Sequence, residues 1–189
     1  MIVANTTYYP DMPFDEYLAL PGNSFSSIKN DGVPLPVSDG MLVGTRVHNY
    51  LLEPEKYDWQ QPEIVQPIAK KIREILGDAL PLLDKEIAFT SDFTHNGMTL
   101  KYKGRADMLK TGRIVIDLKV LGGYLPNAIE RFGYHKQLSG YCFATGCPRG
   151  LIIAYNKATK KIETATIFPN ADFWQYQCVH RGEPILIHN

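Results

Sequence analysis

The sequence is poor in the features that mark membrane, secreted and strongly charged proteins. Its 189 residues include three cysteines, and 20 basic residues balance 20 acidic ones, so the formal net charge is zero. No apolar run approaches the roughly 20 residues that span a bilayer, and residues 1–10 lack the basic and apolar regions of a signal peptide. These absences favour a cytoplasmic protein with no membrane partner. They also give no global electrostatic argument for nucleic-acid binding.

The cysteines Cys142, Cys147 and Cys178 are odd in number, which in a reducing compartment indicates free thiols. A structural zinc site needs a second close pair of ligands, which this spacing does not supply. An iron–sulfur cluster uses four cysteines, so that cofactor is also unfavoured. We therefore expect these side chains to act as small buried apolar residues.

The chain has no internal repeat or low-complexity segment, and its length suits one domain over residues 1–189. Residues 1–40 are rich in loop-forming residues and predict short helices at most, and residues 170–189 predict a C-terminal helix and tail. Hydrophobic periodicity between them predicts helices over 41–53, 62–76 and 125–145, and strands over 82–92, 98–109, 113–121, 149–156 and 161–168. This order predicts an α/β or α+β fold, a mixed sheet with helices on both faces.

Residues 103–119 read KGRADMLKTGRIVIDLK and place two acidic residues, Asp107 and Asp117, in a predicted hairpin. Lys119 follows the second acid by two positions and shares its face of the strand, because side chains in a strand alternate. The opposite face is aliphatic and predicts the core, with Ile114, Ile116, Leu118 and Val120. Asp117 and Lys119 are therefore expected to project away from the deepest packing.

The register of this hairpin decides whether the two carboxylates meet. A three-residue loop, with Gly112 in a left-handed conformation, makes Lys110 face Ile114 and Asp107 face Asp117. A two-residue loop would put the acids on opposite faces of the sheet. We favour the first register, although it brings together like charges that destabilise a strand pair.

A divalent cation would remove that repulsion. Hard oxygen ligands at this spacing suit Mg²⁺ or Mn²⁺, with Asp107, Asp117 and the backbone carbonyl of Leu118 as ligands. Lys119 would then reach the metal-bound water, to position it or help lower its pKa for attack on a phosphorus. The alternative is a surface salt bridge between Asp107 and Lys119, which would contribute little to stability.

Asp107 also stands in line with three cations on its strand. Lys101, Lys103 and Arg105 alternate with apolar residues and predict a track for DNA phosphates. The alternative for the same pattern is a solvated basic face without a ligand.

The order of five segments makes a family resemblance specific. The sequence resembles the PD-(D/E)xK nuclease superfamily, and within it the nuclease domain of RecE-type exonucleases (exodeoxyribonuclease VIII) and their phage-encoded relatives. The similarity spans roughly residues 24–155. The segments that carry it are GTRVHNYLLEPEKY with His48, KEIAFT with Glu86, GRADM with Asp107, DLK with Asp117 and Lys119, and YHKQLSGYCFATG with Gln137 and Tyr141.

The resemblance implies a restriction-endonuclease-like core and a role for each of these residues. His48 and Glu86 would line the metal site beside the two aspartates. Gln137 and Tyr141 lie four residues apart, on one face of a helix, and would contact the DNA backbone or orient Lys119. Relatives bind the 5′-phosphate near their N-terminal helices, which points to Arg46 and Ser26 as phosphate contacts. Without the resemblance, His48 is a core histidine, Glu86 a strand-edge charge, and Gln137 and Tyr141 a packing pair.

The activity implied is a magnesium-dependent deoxyribonuclease that degrades linear double-stranded DNA from its ends, 5′ to 3′. The implied setting is phage or prophage recombination beside a single-strand annealing protein, and the implied assembly is a homo-oligomeric ring around DNA. Two other functions stay open: a non-catalytic DNA-binding or assembly module on the same fold, and a site-specific endonuclease of the same superfamily.

Overall fold

The computed structural model of the protein describes residues 1–33, 39–57, 59 and 62–185. The strands are β1 (Ile2–Tyr9), β2 (Asp84–His95), β3 (Met98–Lys110), β4 (Ile114–Leu121), β5 (Gly150–Asn156), β6 (Lys161–Ile167) and β7 (Glu183–Pro184). The helices are α1 (Phe14–Ala19), α2 (Phe25–Lys29), α3 (Asp39–Leu52), α4 (Pro62–Leu76), α5 (Leu125–Phe132), α6 (Tyr134–Thr145) and α7 (Asp172–Arg181). Residues 34–38 of the predicted N-terminal segment and 186–189 of the predicted tail lie outside the described residues.

These strands form one mixed sheet. Six of them follow the order β1-β2-β3-β4-β5-β6, and β7 pairs with β3 off this path. The β4–β5 pair is parallel, with α5 and α6 connecting the two strands, and the other neighbours are antiparallel. The predicted mixed sheet is therefore confirmed. No helix in the part of the chain that is described is long and apolar enough to cross a membrane.

Helices cover both faces of the sheet, as predicted. On one face, apolar residues of α3 and α4 such as Val47 and Ile72 pack against Met108, Ile116 and Leu118 of the sheet. On the other, a cluster that includes Tyr141 of α6 and Trp174 of α7 packs against β2, β3 and β4. Asp117 is 2% exposed, so the prediction that it projects away from the deepest packing is wrong. A strand in a parallel pair is commonly buried on both faces, which explains the difference.

The hairpin register agrees with the three-residue loop. Lys110 pairs with Ile114, and the pairing continues back to Met108 and Ile116, where it ends. Gly112 has φ +68°, in the left-handed region that glycine adopts without strain. Beyond Met108, β3 stays paired with β2 while β4 stays paired with β5, so β3 and β4 diverge and leave a fork between them.

Two predictions about the secondary structure are wrong. β1 forms where only loops and short helices were expected, because this edge strand has a mainly polar, exposed sequence that lacks a clear apolar alternation. The helix predicted over 125–145 is two helices, α5 and α6. Gly133, with φ +70°, separates them in the left-handed conformation that ends a helix.

Candidate active site

The fork between β3 and β4 contains the first acidic residue. Asp107 directly precedes Met108, the residue at which the pairing of β3 with β4 ends. Its Oδ2 accepts a hydrogen bond from the backbone N–H of Leu118 at 2.6 Å. This side-chain contact replaces the ladder hydrogen bonds where the strands have separated. It places the Asp107 carboxylate directly against the Asp117–Leu118–Lys119 segment of β4.

Helix α3 supplies the histidine of the site. His48 Nε2 lies 3.2 Å from the carbonyl oxygen of Leu118, while His48 Nδ1 lies 3.5 Å from Asp107 Oδ1 and 3.8 Å from Glu86 Oε1. The helix is held there by its apolar residues Val47 and Leu51, which are buried against the sheet. The interpretation of His48 as an ordinary core histidine is thus incomplete, because it faces two carboxylates.

Glu86 enters the site through an irregular strand backbone. Its φ is +52°, and the β2–β3 pairing passes from Lys85 to Ile87 without it. A left-handed conformation at a residue with a side chain costs of order 1 kcal/mol and persists only where surrounding contacts impose it. The consequence is that the Glu86 carboxylate turns toward His48.

The surrounding carboxylates control the protonation of His48. Burial by itself would lower the pKa of His48, but the charges of Asp107 and Glu86 together outweigh burial and raise the pKa from 6.5 to about 9. In the metal-free protein the imidazole is therefore a cation at neutral pH. It takes the place that a metal ion would occupy as the partner of these acids, and it would have to release a proton to become a ligand.

Asp117 and Lys119 form a second, deeper part of the site. Lys119 Nζ lies 2.6 Å from Asp117 Oδ2 and 5.0 Å from the ring centre of Tyr134 on α6. The same buried carboxylate oxygen has no partner with hydrogen-bond geometry among the described residues. Burial raises the pKa of Asp117, the Lys119 ammonium opposes this, and the nearby Asp107 charge adds to it.

Lys119 stays protonated in this setting. Burial would lower the pKa of the ammonium, but the charges of Asp117 and Asp107 outweigh burial and raise the pKa above its ordinary value. Lys119 is therefore a positively charged hydrogen-bond donor at neutral pH, not a proton acceptor. This suits the stabilisation of negative charge on a substrate.

The donor set fits a divalent metal ion. His48, Glu86 and Asp107 offer ligand atoms that all lie within 4.8 Å of one another. Burial raises the pKa of Asp107 too, so this carboxylate is under-compensated in the protein alone. One imidazole and two carboxylates suit a divalent cation of the Mg²⁺, Mn²⁺ or Zn²⁺ type. Asp117 is not in this group, so its predicted role as a ligand stays a prediction, as does that of the Leu118 carbonyl.

The three cations predicted to form a phosphate track are not arranged as an exposed row. Lys101 is exposed, but Lys103 is 8% exposed and its Nζ donates to the carbonyl oxygens of Leu18 and Leu20, each at 2.7 Å. Arg105 forms ion pairs on both sides of its guanidinium. The chain folds α1 over this strand, and those helix-end carbonyls attract the ammonium of Lys103.

The remaining predicted residues are Gln137, Tyr141, Arg46 and Ser26. Gln137 Nε2 donates to the hydroxyl of Tyr141 at 2.9 Å, and Tyr141 is buried beneath Gly104 and against Phe89. These contacts fit a packing pair, and the predicted role of both residues toward DNA or Lys119 stays a prediction. Arg46 is half-buried on α3, and Ser26 is exposed on α2. Their predicted contacts with DNA stay predictions.

Sequence reasoning missed two residues that contact the site. Tyr134 lies over Lys119 because Gly133 restarts the helix there, and that glycine was a signal that the segment contains two helices. Glu53 pairs with Arg105 at 3.1 Å and is the residue directly after α3, within the quoted Leu-Glu-Pro segment. No local pattern indicates that Glu53 meets a strand more than 50 residues away.

No protein-family model and no curated protein matches this chain. Among solved structures, a protein from Eubacterium rectale that is provisionally named as an exonuclease matches with a TM-score of 0.52 at 20% sequence identity. The match covers 82% of this chain and 67% of that one. An alkaline exonuclease from Laribacter hongkongensis is 12% identical with a TM-score of 0.45, over 86% of both chains, which is too low a score to support an argument.

At this identity the first match establishes the fold and nothing further. The chain shares the fold of that protein, a mixed sheet flanked by helices, and in this chain the sheet contains a forked pair of strands. This agrees with the fold expected from the resemblance.

Proposed function

We propose that this protein is a metal-dependent deoxyribonuclease that hydrolyses phosphodiester bonds. One observation carries the proposal: Asp107, hydrogen-bonded to the backbone of the Asp117–Leu118–Lys119 segment, lies beside His48 and Glu86 at the fork of a nuclease-type sheet. Such a buried group of acids is costly for a protein that only binds, because burial raises the pKa of Asp107 and Asp117 even with His48 and Lys119 nearby. A bound metal cation would neutralise the carboxylates, and a DNA phosphate would pair with the Lys119 ammonium.

Each residue has a distinct task in this chemistry. Asp107, Glu86 and His48 would hold the metal ion, with Asp117 as a proposed further ligand. The bound ion would supply Lewis acidity toward the scissile phosphate and lower the pKa of attacking water. Lys119, as an ammonium, donates a hydrogen bond toward the water or the phosphate oxygen and offsets charge that develops there. Tyr134 limits the orientations of that ammonium by packing against it.

The finer assignment rests on the sequence resemblance. We infer Mg²⁺ as the physiological ion, with Mn²⁺ as a substitute, because carboxylates dominate the donor set. We further infer 5′-to-3′ degradation of linear double-stranded DNA from its ends, in phage or prophage recombination. A homo-oligomeric ring around the duplex and a single-strand annealing protein as partner belong to the same inference.

The test compares two forms of one DNA. A linear duplex and a covalently closed circle of the same sequence are incubated with the protein and Mg²⁺, and with EDTA as the metal-free control. We expect nucleotides to be released from the linear form only, and 5′ or 3′ end labels then report the polarity. Asp117→Ala and Lys119→Ala should each abolish release while leaving the fold intact. The exposed Asp78→Ala and Lys157→Ala variants serve as matched controls with ordinary activity.

The same assay separates the two other functions. Cutting of the closed circle would replace the exonuclease proposal with a site-specific endonuclease. Binding of duplex without cleavage of either form would favour a non-catalytic DNA-binding or assembly module. Near wild-type activity of Asp117→Ala or Lys119→Ala would remove the site assignment itself.

A further inference from the structure

Arg105 joins two glutamates at the edge of the proposed metal site. Its Nη1 lies 3.2 Å from Glu86 Oε2, and its Nη2 lies 3.1 Å from Glu53 Oε1. The three side chains are only 11–15% exposed. A guanidinium that bridges two carboxylates in a poorly solvated place has a fixed orientation, because both ends of its planar fork are occupied.

The bridge divides the two oxygens of Glu86 between two partners. Arg105 takes Oε2, while Oε1 is the atom that lies 3.8 Å from His48 Nδ1. Glu86 therefore presents one oxygen to the ligand group and cannot easily rotate to present both. Its left-handed backbone, with φ +52°, is a further sign that the surroundings impose this side-chain position.

Glu53 anchors the other end of the bridge. It follows directly after α3, the helix that carries His48, so the ion pair ties the end of that helix to β3. Lys56 adds a second cation on the same Oε1 of Glu53. Phe14 lies over the guanidinium, with 5.5 Å between Arg105 Cζ and the ring centre, and covers one face of it.

We propose that Arg105, held by Glu53, is a positioning residue that fixes Glu86 as a one-oxygen metal ligand. This inference deepens the proposed function and rests on it. It differs from the phosphate-binding role that the sequence suggested for Arg105, because two carboxylates already balance the charge of this guanidinium and its side chain is only 12% exposed. Residues that orient a ligand typically change metal affinity by 10–100-fold when they are removed.

The experiment measures Mn²⁺ binding to the protein without DNA, by calorimetry or by the loss of the free-ion EPR signal. Arg105→Gln should weaken Mn²⁺ binding by about 10–100-fold, and Arg105→Lys, which keeps the charge but cannot bridge both acids, should fall between. Glu53→Gln should weaken binding by about 10-fold through Arg105 alone. The matched control is Lys85→Gln, which removes an exposed cation next to Glu86 in sequence and should leave Mn²⁺ affinity unchanged.

A double variant distinguishes positioning from general damage. Because Glu53 acts through Arg105, the Glu53→Gln/Arg105→Gln protein should bind Mn²⁺ no more weakly than Arg105→Gln. Duplex affinity in EDTA, followed by fluorescence anisotropy, should change less than threefold in Arg105→Gln. Where Arg105→Gln fails the folding control by circular dichroism, Glu53→Gln and Arg105→Lys carry the same test.

Three outcomes would overturn the inference. The first is that Arg105→Gln binds Mn²⁺ as tightly as the wild type. The second is that the losses of Mn²⁺ affinity multiply in the Glu53→Gln/Arg105→Gln protein. The third is that Arg105→Gln loses affinity for DNA but not for Mn²⁺, which would restore the phosphate-contact role. Failure of the wild-type protein to bind Mn²⁺ would instead remove the proposed function, and this inference with it. If the wild-type protein binds Mn²⁺ and hydrolyses DNA, and Arg105→Gln binds Mn²⁺ equally well, only this inference is removed and the proposed function stands.

Discussion

Asp107 accepts a hydrogen bond at 2.6 Å from the backbone N–H of Leu118, on the strand that has separated from its own. The two residues come together where the β3–β4 pairing has ended, so a catalytic candidate also closes the fork of the sheet. The Asp107 side chain therefore contributes both to the stability of the fold and to the proposed reaction. Substitutions that remove its charge but keep its hydrogen bond can distinguish these two contributions.

Asp107→Asn and Asp107→Ala should differ in stability but not in activity. The amide oxygen of asparagine can still accept from Leu118 N–H, whereas alanine leaves that donor unpaired, at about 1–2 kcal/mol. Burial raises the pKa of Asp107, so the neutral amide also avoids the cost of a buried charge. We expect Asp107→Asn to equal or exceed the wild type in urea denaturation without metal. Hydrolysis should fall more than about 100-fold in both variants.

Equal stability of the asparagine and alanine variants would show that the Leu118 hydrogen bond contributes nothing. Retained hydrolysis in the asparagine variant would show that the Asp107 charge is not needed for the reaction.

Lys119→Met should destabilise the protein, and a second substitution should restore it. The ammonium forms an ion pair with the buried Asp117 carboxylate, and that carboxylate is left uncompensated when the charge is removed. We expect a loss of roughly 1–3 kcal/mol at pH 7 in EDTA, and recovery of most of it in Asp117→Asn/Lys119→Met. Denaturant titration of the four proteins gives the coupling energy.

Both single variants and the double variant should lack nuclease activity, so recovery of stability would not bring recovery of function. A Lys119→Met protein as stable as the wild type would contradict the buried ion pair.

The metal-free protein should lose stability as the pH rises through the titration of His48. The pKa of His48 is raised from 6.5 to about 9 in the folded state, so its contribution is complete below about pH 6.5. It is lost progressively as the pH rises to and through 9, with an upper bound of about 3 kcal/mol. Urea denaturation at several pH values between 6 and 10, in EDTA, measures the slope.

His48→Gln should flatten that slope, which is the control for other titrating groups. Binding of Mn²⁺ at pH 7.5 should release close to one proton in the wild type, because the imidazole must be neutral to act as a ligand. Calorimetry in buffers of different ionisation enthalpy counts the proton. No release would place His48 outside the metal's ligands.

Gly104→Ala should destabilise the fold strongly, because an added Cβ would lie 2.4 Å from Phe89 Cζ and 2.8 Å from Tyr141 Cε1. Both rings are buried, so relief requires movement of the core, at a cost of about 1–3 kcal/mol or more. Gly44→Ala in α3 is the matched control, since nothing lies within 4 Å of its added Cβ. That variant should gain up to about 1 kcal/mol of helix stability. Thermal unfolding checks both, and a neutral Gly104→Ala would contradict the close packing of β3 on α6.

Local patterns predicted most of the elements but not all of their boundaries. The β3–β4 register could be predicted because turn residues and the alternation of side chains act over a few neighbours. The split of the long helix at Gly133 and the edge strand β1 were missed. A single glycine only weakens a helical pattern, and a polar edge strand lacks the apolar alternation that identifies buried strands.

The site was predicted in part for the same reason. The hairpin register predicted that Asp107 and Asp117, which are near in sequence, face each other. The order of the motifs in the resemblance predicted that His48 and Glu86 belong to the same site. The burial of Asp117 and the capture of Lys103 by α1 were not predictable. Both depend on which helices cover the strands, and the strand sequence does not contain that information.

The sequence by itself determined most of the elements, the hairpin register and the residue types available for the chemistry, because these depend on interactions between neighbours along the chain. The tertiary structure alone decided which of those residues meet. His48 reaches the Leu118 carbonyl across 70 residues of chain, and Glu53 reaches Arg105 across 52. Such contacts follow from how helices pack on a forked sheet. The packing of buried apolar faces fixes the positions of the helices, and those positions decide which charged side chains come into contact.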